Sequence, residues 1–153
     1  MGLREQLMED LKEAMRQGNE PRKRAIRLVI AAMKEAETEL DAHGQRRHLD
    51  ENGILALIAR QAKQRQESIQ EYRRGGREDL VAEEEAELAI LQGYLPRQLS
   101  REEIEAEARQ VIAEVGAASL RDMGKVMKPL MARLTGRADG QVINQVVREL
   151  LTG

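Results

Sequence analysis

Apolar residues in this chain return every three or four positions, and nowhere do they alternate with polar ones. That period is the mark of helices with one buried face, and the missing two-residue period excludes a half-buried sheet. Leu3, Leu7, Met8, Leu11, Ala14 and Met15 form one stripe, closed by Gly18. Pro21 suits the first turn of a second helix, whose Ile26, Val29, Ile30, Met33 and Leu40 predict a span to about His43. After a polar break, Asp50 is placed to cap a third helix running through Ile54, Ile58, Ala62, Ile69 and Tyr72 to Gly75 and Gly76. A fourth is expected from about Arg77 to Gly93, with Leu80, Leu88 and Leu91 inward and Glu83, Glu84, Glu85 and Glu87 mostly outward.

The stretch "YLPRQLS", residues 94–100, interrupts the pattern. Pro96 disfavours helix at Leu95, and Ser100 with Glu103 three residues on reads as a capping box. A fifth helix follows through Ile104, Ala108, Val111, Ile112 and Val115 to Gly116, and a sixth covers 119–136. Asp139 is placed to cap a seventh that buries Val142, Val146, Val147 and Leu150. The expected fold is all-α: an N-terminal bundle of about four helices over 1–94, and a small three-helix domain over 95–153.

Charge and composition narrow the function. The net charge of −2 hides a segregation: residues 78–115 carry 3 basic and 11 acidic side chains, whereas 116–153 carry 6 and 3. With no cysteine, disulfides and thiolate chemistry are excluded, and a cytoplasmic location is expected. No run approaches the length of a membrane span, so no membrane partner is expected. His43 and His48 lie in a polar loop, where metal binding would need convergent ligands beyond the nearby Asp41 and Asp50. The acidic run at 83–87 reads as a solvated helix face, and Gly75-Gly76 lacks a phosphate-loop pattern. Neither a catalytic constellation nor a cofactor motif emerges, so no catalytic residue, metal or cofactor is assigned.

Residues 119–140, "SLRDMGKVMKPLMARLTGRADG", are the least ordinary segment. At about 100° per residue, Leu120, Met123, Met127, Leu130, Met131 and Leu134 share an arc of about 100°, predicted to face the core. Arg121, Lys125 and Lys128 share another of about 60°, and Arg133 and Arg137 extend the positive region. The one acid on this helix, Asp122, sits where a capping-box partner of Ser119 belongs, so the basic row is expected to lack counter-charges. Gly124, inside the helix, implies close helix packing or the close approach of a ligand. Pro129 implies a kink or a break into two short turns. In the third helix, Lys63, Gln64 and Glu67 form a second polar surface, either an interdomain network or a partner-binding face.

Four segments together, "KQRQES" (63–68), "YLPRQLSREE" (94–103), "AEVGAASLRDMGKVM" (113–127) and "GRADGQVIN" (136–144), resemble the YqeY family of GatB/YqeY-domain proteins. The resemblance implies two helical domains, the second similar to the tail of GatB. GatB is a subunit of the glutamine-dependent aspartyl/glutamyl-tRNA amidotransferase, in which that tail helps hold the tRNA. The family is associated with carbon–nitrogen ligase activity with glutamine as amido-N-donor, yet nothing in this chain resembles the catalytic parts of that enzyme. The expected function is therefore an accessory tRNA-binding module that is not catalytic by itself. Arg121, Lys125, Lys128, Arg133 and Arg137 would contact phosphates, Gly124 and Gly136 would permit close approach, and amidotransferase or tRNA-synthetase components would be further partners. The absence of Phe and Trp argues against stacking of single-stranded bases and leaves structured RNA read through its backbone. The competing expectation is a protein–protein adaptor built on Met123, Met127 and Met131 and on the acidic fourth helix.

Overall fold

The computed structural model describes residues 2–152 and places seven α-helices in them. Among these residues the only extended pairing is an isolated bridge between Leu40 and Arg46, so the all-α expectation holds. The chain divides into two compact units, Met1–Leu95 and Pro96–Gly153, each with its own apolar core.

The first unit contains α1 (Leu3–Gln17), α2 (Glu20–Thr38), α3 (Glu51–Arg74) and α4 (Glu78–Gln92). Local signals set most of these limits. Gly18 ends α1 in the left-handed region, φ 65°, where a side chain would be strained. Asn19 accepts from the Arg22 N–H to start α2, and Asp50 accepts from the Gly53 N–H at 2.8 Å to start α3. The expected extension of α2 to His43 does not form. Asp41 instead accepts from the N–H groups of His43 and Gln45, an Asx-type turn that competes with helix, and Leu40 is left exposed.

Leu7 of α1, Ile26 and Val29 of α2, Ile58 of α3 and Leu91 of α4 are fully buried together. Each contributes roughly 1.5–3 kcal/mol relative to an exposed position. The acidic run of α4 does not stay in solvent as expected. Glu87 is 6% exposed and its Oε2 lies 3.3 Å from Nη1 of Arg65, itself 9% exposed; Glu84 Oε2 lies 3.1 Å from the same nitrogen. Arg24 reaches the other oxygen of Glu87 at 3.5 Å. Glu83 and Glu85 remain outward. At the C-terminal end of the unit the Tyr94 hydroxyl donates to Asp10 Oδ2 at 2.5 Å, and burial together with that carboxylate pushes the phenol's pKa up.

The second unit contains α5 (Arg101–Val115), a 3₁₀ turn (Leu120–Asp122), α6 (Met123–Leu134) and α7 (Gly140–Thr152). Its core is three triplets: Ile104, Ala108 and Val111; Val126, Leu130 and Leu134; Ile143, Val146 and Val147. Ile143 thus takes a place expected of Val142, which with Leu150 is only half-buried. Ser100 and Glu103 close a capping box at the start of α5. Arg97 grips Glu103 with two bonds of 3.0 and 2.7 Å, and holds that carboxyl down at about 2. Gln98 Nε2 donates to the Gly136 carbonyl at 2.7 Å and the Leu99 N–H donates to the Arg137 carbonyl at 2.8 Å, which ties the segment before α5 to the turn between α6 and α7. Among the described residues no helix is long and apolar enough to cross a membrane, and no cluster of His, Asp and Glu could hold a metal ion.

Candidate nucleic-acid interface

The basic row lies on α6 and on the 3₁₀ turn before it. Ser119 and Asp122 close the expected capping box: Ser119 Oγ accepts from the Arg121 N–H, and Asp122 Oδ2 accepts from the N–H groups of Ala118 at 2.8 Å and Ser119 at 3.3 Å. Those backbone donors hold the Asp122 carboxyl below its ordinary pKa. The turn fixes where Arg121 leaves the backbone.

Burial on α6 is rotated from the expected arc. The buried positions are Val126, Leu130 and Leu134, with Met123 and Met127 half-buried beside them; Leu120 and Met131 are 42% and 40% exposed. On a helical wheel of about 100° per residue, the buried axis moves by about 50° from the expected one. This rotation puts Arg121, Lys125 and Lys128 almost diametrically opposite the core. All three are exposed.

The row is not wholly without counter-charge. Lys125 Nζ lies 3.8 Å from Asp122 Oδ1, and Arg133 pairs with Glu114 of α5. Asp122 therefore both caps and pairs, whereas only the cap was expected. The Lys125 contact is long and solvent-exposed, so screening leaves most of the lysine's charge available. Arg121 and Lys128 have no acidic partner among the described residues. Arg137 is half-buried, next to the turn that Gln98 and Leu99 hold.

The two glycines differ. Nothing lies within 4 Å of where a Cβ on Gly124 would stand, and the residue is exposed. Close helix packing, one of its two expected roles, is thus overturned, and what remains is bare backbone between Leu120 and Lys125. Gly136 is buried with φ 75°, its carbonyl held by Gln98. It shapes the turn from inside and offers no surface to a ligand, contrary to its expected part in close approach. Of the two outcomes expected of Pro129, the break into two short turns does not occur, because α6 runs from Met123 to Leu134 around it. The proline removes the N–H that would bond the Lys125 carbonyl, and the helix continues regardless.

Of the second polar surface, Gln64 and Glu67 are exposed on α3 and Lys63 is half-buried; all three belong to the first unit. The residue that the sequence reading missed lies between them. Arg65 falls at the seven-residue interval after Ile58 and four before Ile69, a cation within an apolar stripe, which is the signal of a buried pair. Glu84 and Glu87 repeat it on α4, between Leu80 and Leu91.

A sequence model described as "Yqey-like protein" matches residues 4–151. The chain belongs to the YqeY family. Its relatives include proteins named "Altered inheritance of mitochondria protein 41, mitochondrial". That of Pyrenophora tritici-repentis is 31% identical, over 95% of this chain and 78% of the relative. That of Lachancea thermotolerans is 32% identical, over 95% and 80%. That of Meyerozyma guilliermondii is 30% identical, over 96% and 75%. Those relatives are named as mitochondrial proteins, which leaves the cytoplasmic location expected from composition without support from them.

Proposed function

We propose that the C-terminal unit of this YqeY-family protein is an accessory, non-catalytic module that binds tRNA through the face of α6 opposite its core. The observation that carries this reading is the placement of Arg121 and Lys128, both exposed and without acidic partners among the described residues, on either side of Lys125 along one ridge. The ridge rises about 1.5 Å per residue, so the three cations span about 10 Å, room for successive phosphates of one strand. Gly124 at its edge lets a sugar–phosphate backbone come down onto the helix. Arg137 adds charge at the far end, and Arg133 contributes only if it gives up Glu114. The resemblance of residues 113–144 to the tail of GatB supports tRNA as the structured RNA concerned.

The test is titration of the full chain with bulk tRNA at low and moderate salt, beside a variant carrying Arg121→Glu, Lys125→Glu and Lys128→Glu. Three phosphate contacts predict a log–log salt slope of about 2–3, and the variant should lose it. Equal binding by both proteins, or none by either at low salt, would overturn the proposal.

A second reading, the protein–protein adaptor, draws on one observation. Leu120, Gly124, Met127 and Met131 follow at intervals of four, three and four, a seam exposed except at the half-buried Met127 and of the kind a partner helix uses. Its other half is weakened, because Glu84 and Glu87 of the acidic helix are already engaged by Arg65. Stoichiometric recovery of one protein on the full chain, abolished by Met131→Glu and untouched by the charge reversal, would favour it.

A further inference from the structure

Two contacts fix how the basic row of α6 stands relative to α7. Met131 Cε lies 3.2 Å from where a Cβ on Gly140 would stand, so one flank of α6 faces the start of α7. Arg133, on the opposite flank, pairs with Glu114 of α5. At about 100° per residue, Lys128 lies about 60° outward from Met131 and Arg121 about 80°. Both therefore stand on the outer face beside α7. That helix offers a row of its own. Glu149, the one acid in α7, is engaged by Arg101 of α5, and Arg148 lies about 100° round the helix from it, on the face turned away from α5. Gln141, Gln145 and Arg148 are exposed there at intervals of four and three, and Arg148 has no acidic partner among the described residues. Each row is about 10 Å long at about 1.5 Å per residue. The surface between them is open at Gly124, which has nothing within 4 Å of a would-be Cβ. Asn144, one turn after Gly140 on the flank that meets Met131, is half-buried on the other side of that valley.

Resting on the RNA reading of α6, we infer that α6 and α7 together form a site for A-form duplex RNA. The α6 row follows one strand, the α7 row follows the other, and the minor groove lies over the valley between them. Cations without acidic partners on both helices call for an anionic occupant, and two rows suit two strands. Packed helices stand about 8–10 Å apart. The minor groove of B-form DNA, about 6 Å wide, does not admit such a pair, and its major groove, about 12 Å wide, takes a single helix. The minor groove of A-form RNA is wide and shallow, and it displays the 2′-hydroxyls. Gln141, Asn144 and Gln145 suit those hydroxyls, because a carboxamide both donates and accepts, as a hydroxyl does. A single strand would call for aromatic side chains on which its bases stack, and the second unit has no aromatic residue.

The experiment is a fluorescence-anisotropy titration of the full chain, at low salt, with a short blunt RNA duplex, a DNA duplex of the same sequence, one RNA strand alone and bulk tRNA. The RNA duplex should bind at least tenfold more tightly than the DNA duplex or the single strand. Gln141→Ala combined with Gln145→Ala should bring the RNA duplex down to the level of DNA and leave the salt slope unchanged, because carboxamides meet hydroxyls and not phosphates. Arg148→Ala should weaken the RNA duplex and lower the log–log salt slope by about one. All three side chains are exposed, so the variants leave both cores untouched. Binding of tRNA without preference for the RNA duplex over DNA or over the single strand would overturn this site and leave the α6 reading standing. So would a preference that survives the paired glutamine variant. No binding to tRNA or to either duplex would overturn both.

Discussion

Arg65 of α3 and Glu87 of α4 form an ion pair with side chains only 10% and 8% exposed, Nη1 to Oε2 3.3 Å. A charge so placed cannot be left alone. Replacing Arg65 with Met strands Glu87 beside the single remaining contact from Arg24, and should cost about 3 kcal/mol in urea unfolding. Adding Glu87→Gln should return a substantial part of that loss, because the uncompensated charge is gone. A double variant no more stable than Arg65→Met would show that the pair is not coupled in the folded state.

The Arg4–Glu37 pair makes a pH prediction. Arg4 binds both oxygens of Glu37 at 3.0 and 2.7 Å, and the Leu49 N–H adds a third bond at 2.9 Å. Together they hold the Glu37 carboxyl at about 2, below its ordinary 4.5. A carboxyl depressed in the folded state stabilises above its ordinary value and ceases to do so as pH falls through the folded one. The gap in urea midpoint between the natural chain and Glu37→Gln should therefore be constant from pH 7 to about 5 and close toward pH 2. A gap unchanged at pH 2.5 would contradict the assignment.

Gly124 and Gly136 should respond in opposite directions to alanine. Gly136, buried at φ 75°, should lose about 1–2 kcal/mol. Gly124 has helical backbone and open space, so Gly124→Ala should gain about 0.5–1 kcal/mol. If tRNA lies on this face, the more stable Gly124→Ala protein should bind it less well. Thermal unfolding and the tRNA titration, run on the same samples, read both effects.

Pro129 is a removable defect. The helix passes through it with one backbone bond missing, so Pro129→Ala should raise stability by about 1–3 kcal/mol, seen as a higher melting temperature. A fall would show that the ring's contacts in the second core outweigh the missing bond.

Helix identity was plain in the sequence because caps are local. Asp50, Ser100 and Ser119 each bond backbone within three residues, so short motifs announce them. The end of α2 was not plain, since a helix-period Leu40 competed with an Asp41 turn whose strength depends on backbone not yet folded. Orientation was harder still. The apolar stripe of α6 was located to within about 50°, because Met and Leu at a boundary are buried or exposed according to neighbours that periodicity does not name. The basic row was legible as a row, but its contacts with Asp122 and Glu114 were not: the latter comes from another helix. Arg65 and Glu87 were illegible as a pair for the same reason, although each broke an apolar stripe.

Tyr94, joined to Asp10, has one aromatic companion in the whole chain, Tyr72 on α3, and both belong to the first unit. The near-ultraviolet spectrum of this protein therefore originates from one of its two cores. Absorbance and fluorescence will follow the melting of α1–α4 and stay blind to α5–α7. A single tryptophan introduced on the exposed side of α7 would give the silent core its own colour.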